Sequence, residues 1–71
     1  MKINWGDGRI FISEGASHRV WQDPHYNVIK EEIVSKDGTE ITYSVTHPII
    51  ESKEFKTEQE LLEELKKLYP D

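Results

Sequence analysis

The chain has 71 residues and no cysteine, so there is room for one domain with a thin stability margin and no disulfide or thiolate metal site to supplement it. Its formal charge of −5 is uneven: residues 1–30 carry four basic and three acidic groups (4 − 3 = +1), and residues 31–71 carry five and eleven (5 − 11 = −6). Net acidity counts against general polyanion binding, which draws most of its affinity from phosphate contacts, and no apolar run reaches the length of a membrane span.

In chain order, residues 2–5 alternate as a short strand, with Ile3 and Trp5 on one side. Gly6-Asp7-Gly8 is a tight-turn signal; it lacks the Lys-Ser/Thr of a phosphate loop. Arg9-Ile10-Phe11-Ile12-Ser13 is a second strand. Its three successive apolar residues suit a central strand covered on both faces. Glu14-Gly15-Ala16-Ser17 turns into a third strand over residues 18–22, which Asp23-Pro24-His25 interrupts. A helix capped by Asp23 and opened by Pro24, running through Tyr26, Ile29 and Ile33 to Gly38, is the rival reading there.

A hairpin is preferred because its register sorts the side chains. A three-residue loop, Lys36-Asp37-Gly38, pairs Ser35 with Thr39. Ile33 then faces Ile41, Glu31 faces Tyr43 and Ile29 faces Val45, while Val34, Glu32 and Lys30 face Glu40, Thr42 and Ser44. One side is mostly apolar and the other polar, as a half-covered hairpin requires. His47-Pro48 ends the second arm. Ile49-Ile50 is a short last strand or a turn beneath the helix, residues 51–54 are a polar connector, and Phe55 is an apolar plug.

The remainder spells one amphipathic helix. Thr57 and Glu60 fit a capping box, Glu58 and Glu60 sit in the first turn and Lys66 and Lys67 in the last, and Pro70 stops it near Leu68 or Tyr69. Leu61, Leu62, Leu65, Leu68 and Tyr69 fall on one face of a 3.6-residue period. The expectation is a single α+β domain over residues 1–71: an antiparallel β-meander of four to five strands with one C-terminal α-helix packed on one face.

Motifs of chemistry are sparse. His18, His25 and His47 with Asp23 and Glu31 match no standard ligand spacing, so neither metal nor cofactor is expected. Ser13, Ser17, His18 and Asp23 supply the residue types of a hydrolytic triad without a nucleophile elbow or oxyanion hole. Glu31, placed against Tyr43, has two readings: an acid/base carboxylate beside the core, or an edge carboxylate that reaches water. The second is favoured, since an unpaired buried acid is rare. The richest set is aromatic and basic: Trp5, Phe11, Trp21, His25 and Tyr26 with Arg9 and Arg19. Such residues enrich protein interfaces and also stack single-stranded bases; Trp5, Phe11 and Trp21 equally suit the core of a small domain.

The hairpin about Lys36-Asp37-Gly38 followed by Phe55-Lys56-Thr57-Glu58-Gln59-Glu60-Leu61 resembles, over residues 27–69, the sheet-plus-helix arm-binding domains of phage integrases. That resemblance implies a basic sheet face on DNA, where this chain has Glu32 and Glu40 beside a single Lys30, so no site residues carry over. The expected function is a small non-enzymatic protein-binding module, a regulator or inhibitor of prokaryotic or phage type. It would be cytoplasmic, of open oligomeric state, and would contact a protein partner through Arg19, Trp21, His25 and Tyr26. The alternatives are single-stranded nucleic-acid binding through Arg9, Arg19, Trp21 and Tyr26, and a small enzyme or ligand-binding domain using Glu31 and the histidines.

Overall fold

The computed structural model describes residues 2–70; Met1 and Asp71 lie outside them. Five antiparallel strands form one meander in the order β1-β2-β3-β4-β5, followed by a helix: β1 Arg9–Ser13, β2 Ala16–Asp23, β3 Val28–Ser35, β4 Gly38–His47, β5 Ile50–Phe55 and α1 Glu58–Leu68. The fold is α+β, with α1 packed across β4 and β5.

The expected number of strands stands, but its membership differs. Residues 2–8 are not a strand. They run across the helix side of the sheet, where Ile3 and Trp5 pack against the core. The Asn4 N–H donates to Asp23 Oδ2 (3.0 Å) and the Trp5 indole N–H to Glu58 Oε1 (2.8 Å). The alternation of this segment is real, but its backbone has side-chain partners instead of a ladder. Residues 51–54, read as a connector, form most of β5. The rival helix from Pro24 is absent: after a turn in which Asn27 takes φ 55, the chain is extended from Val28 to Ser35.

The hairpin register differs by one residue. The loop is Lys36-Asp37, Ser35 pairs with Gly38, and Glu31 pairs with Thr42, Lys30 with Tyr43 and Val28 with Val45. Because paired residues share a face, the whole of β3 is turned over relative to the sequence reading. The covered face receives Val28, Lys30 and Glu32; the open face receives Ile29, Glu31 and Ile33. The pairings on either side show what is gained. The Lys30 ammonium sits 4.8 Å from the Trp21 ring centroid and 5.7 Å from that of Tyr43, while Glu31 moves to the open face and Glu32 takes a place on the helix side, opposite Ile41.

The core is small: Val28, Tyr43, Val45, Leu61 and Leu65 are buried. Phe55, Leu62, Leu68 and Tyr69 pack around it, so the leucine stripe and the Phe55 plug behave as expected. The Thr57 hydroxyl accepts from the Glu60 N–H (3.2 Å) and donates to the Glu60 carboxylate (3.0 Å), a variant of the expected box. The Tyr69 N–H closes the far end on the Leu65 carbonyl (2.8 Å). An 11-residue helix spans only about 17 Å, whereas the molecule is 42 Å long. Its radius of gyration of 13.1 Å exceeds the roughly 11 Å of a compact domain of this length. The helix contacts β4 and β5 and neither β1 nor β2.

Candidate functional site

Strand β1 is the element for which the expectation of burial fails. It is the edge of the sheet, and every one of its residues is exposed. Ile10 is 65%, Phe11 48% and Ile12 79% accessible. No helix reaches it, and no described segment pairs with its outer side. Three apolar residues in a row carry no information on whether the two faces are covered; here neither is.

The backbone of β1 can be assigned from its turn. Glu14 (φ 53) and Gly15 (φ 78) form a two-residue loop with both φ values positive, the type I′ geometry of tight hairpins. The closing pair, Ser13 with Ala16, is then a hydrogen-bonded one. Since hydrogen-bonded and non-bonded pairs alternate along an antiparallel ladder, Arg9, Phe11 and Ser13 direct their N–H and C=O groups at β2. Ile10 and Ile12 direct theirs outward.

The other edge of the sheet is built differently. In β5, four polar or charged residues, Glu51-Ser52-Lys53-Glu54, follow one another, and its register with β4 is broken between Val45 and His47. Charge, lysine and a bulge are the devices that blunt a free edge. β1 has no such device among its three central residues.

The open face beside β1 is also apolar in part. Phe11 stacks on His18 (centroids 4.7 Å apart, planes 5° apart), and His18 is paired with Ile33. The His18 Nδ1 lies 3.6 Å from Glu31 Oε2. Glu31 is therefore neither against Tyr43 nor buried; it sits half-exposed between Val20 and Thr42.

The residues nominated as a contact surface fall into two groups. Arg19 and Trp21 lie on the helix side of β2, with the Arg19 guanidinium 5.0 Å from the indole centroid and its Nη2 donating to the Asp7 carbonyl (2.8 Å). Gly8 rests on the same ring: a Cβ there would lie 2.7 Å from Trp21 Nε1. His25 and Tyr26 lie in the β2–β3 turn. His25 is exposed, and Tyr26 meets Tyr69 edge to face (5.4 Å), next to His47 on Tyr69 (5.4 Å). Asp23 between the groups is buried, accepting from the Asn4 and His25 N–H groups (3.0 and 2.9 Å). Arg9, paired with Val20, is on the face opposite Arg19 and Trp21.

An open cleft of about 450 Å³ lies between the β2–β3 turn and the end of β4, lined by residues that include Asp23, Asn27, Val28 and His47; neither His18 nor Glu31 lines it. Among the described residues no three His, Asp or Glu side chains converge as a metal site would require, and no helix is long and apolar enough to cross a membrane. Sequence reading passed over Ile10 and Ile12. The signal that marks them is the contrast between the charged β5 and the uncharged middle of β1, and it becomes visible only once both are known to be edges. Comparison with protein-family models, with curated proteins and with solved structures finds no match for this chain.

Proposed function

We propose that the chain is a non-enzymatic protein-binding module that works by strand addition, with β1 as its contact element. The supporting observation is the bare edge. Ile10 and Ile12 present unpaired backbone groups outward, and their side chains with that of Phe11 are the most exposed apolar run of the sheet. A partner strand would take main-chain hydrogen bonds from the edge and set its own apolar residues against alternating sides. Arg19 and Trp21 serve this surface indirectly. Their stack holds Gly8 and the Asp7 carbonyl, and so fixes the segment that leads into β1.

Nucleic-acid binding is the weaker reading, because its four residues are split. Arg9 faces away from Arg19 and Trp21, and Tyr26 is engaged with Tyr69. A base-stacking platform needs its rings and cations on one side.

The test uses display-selected peptides and the isotope-labelled full chain. Bound peptides should be extended and apolar at alternate positions, and should shift the amide resonances of Ile10 and Ile12. The double variant Ile10→Lys/Ile12→Lys, with an unchanged circular dichroism spectrum, should lose binding. Selected peptides that shift the cleft near Asp23 and His47 and bind the double variant equally well would refute the assignment.

A further inference from the structure

We infer that the partner strand is β1 of a second copy, related to the first by a two-fold axis through Phe11. The inference rests on the reading of β1 as the contact element and names what it takes.

The register follows from which groups point outward. Ile10 and Ile12 have their N–H and C=O groups free, while Phe11 spends its own on β2. In an antiparallel self-pairing the two facing residue numbers must therefore sum to an even number; an odd sum would set an outward pair against groups already bonded. Among the apolar residues of β1, three centres satisfy this: Ile10, Phe11 and Ile12. Centring on Ile10 leaves Ile12 opposite Gly8 of the other copy. Centring on Ile12 leaves Phe11 opposite Ser13 and Ile10 opposite Glu14. Only the Phe11 centre sets every apolar side chain against another: Ile10 faces Ile12 of the other copy on the helix side, and Phe11 faces Phe11 on the open side. It also makes the Phe11 pair the non-hydrogen-bonded kind, in which side chains approach most closely, and Ile10 with Ile12 the kind that exchanges both backbone bonds.

Charge selects the same arrangement. β1 begins at Arg9 and is followed by Glu14. Antiparallel pairing about Phe11 brings the basic end of each copy beside the acidic end of the other, whereas parallel pairing would set Arg9 on Arg9. The surface is self-complementary, as a two-fold contact requires. The product is a continuous ten-stranded sheet whose outer edges are the two blunted β5 strands. On its open face the two Phe11–His18 stacks meet at the axis. Five residues a side bury less than the roughly 1,200 Å² of a standard interface, so the dimer forms by mass action as the concentration rises.

The absence of cysteine makes the register readable by single-cysteine variants. Under mild oxidation Phe11→Cys should give a covalent dimer, because the axis places the two thiols within disulfide reach. Arg9→Cys and Ser13→Cys should not dimerise alone but should cross-link when mixed. In sedimentation equilibrium the unmodified chain should move from its 8.3 kDa mass to twice that mass with increasing concentration, and Ile10→Lys/Ile12→Lys should lose this dependence. A chain that keeps its single mass up to about 1 mM, cross-linking by Arg9→Cys alone, or growth past the dimer without a plateau would each overturn the second-copy assignment. If the single-mass chain still shows Ile10 and Ile12 shifts with strand peptides, only the second copy fails; if it shows none, strand addition fails with it.

Discussion

At the residue scale, the fold turns on a few contacts that no local pattern announces. Gly8 is one. Its φ of +79 alone disfavours a side chain, and the Trp21 ring occupies the space a Cβ would take, at 2.7 Å. Gly15 offers a control, with φ +78 and nothing within 4 Å. Gly8→Ala should cost about 1–3 kcal/mol, backbone strain together with overpacking, and should shift tryptophan emission. Gly15→Ala should cost the strain alone. Equal losses in urea unfolding would mean that Gly8 is not seated on the indole. Lys30 is a second such residue. Read as a polar position opposite Ser44, it lies opposite Tyr43, on the covered face, with its ammonium over two aromatic rings. The partner that draws it there, Trp21, is on the neighbouring strand, and a two-stranded register test has no access to it.

At the element scale, α1 was the most legible part of the chain because its determinants lie within it: a Thr57 cap, a leucine period and a proline stop. The strands were legible as extended chain but not in their order of exposure. Residues 2–5 alternate as a strand does and residues 51–54 read as a polar connector, yet the outcome was the reverse and was decided by what lay alongside. Residues 51–54 gained β4; residues 2–5 met side chains instead. The helix supplies two of the five core residues, Leu61 and Leu65, and both are fully enclosed. Leu65→Ala should cost about 2–5 kcal/mol, against roughly 4–10 kcal/mol of total stability for a domain of this length. The variant should therefore unfold at much lower urea concentration, with the strands lost together with the helix. Strands that survive loss of the helix would show that the sheet stands without its lid.

At the scale of the whole molecule, the sheet is wider than its cover. One helix encloses the β4–β5 end, the N-terminal segment braces the middle, and β1 is left with apolar residues on both faces and free backbone along one side. This asymmetry, blunted at β5 and bare at β1, is the ground on which β1 is proposed as the contact element, where the sequence offered only a scatter of aromatics and arginines. Composition fixed the scale of the domain and the modest size of its core, but the identity of the edge depends on topology.

The claim that β1 is a free edge that accepts a strand is tested most directly by amide hydrogen exchange along residues 9–13 as a function of concentration. In dilute solution the Phe11 amide, directed at β2, should be protected, and the Ile10 and Ile12 amides should exchange at rates near those of unstructured chain. On concentration the Ile10 and Ile12 amides should become protected while Phe11 changes little. Ile10 and Ile12 amides protected as strongly as Phe11 at the lowest concentration, or unprotected at every concentration and with every strand peptide, would contradict it.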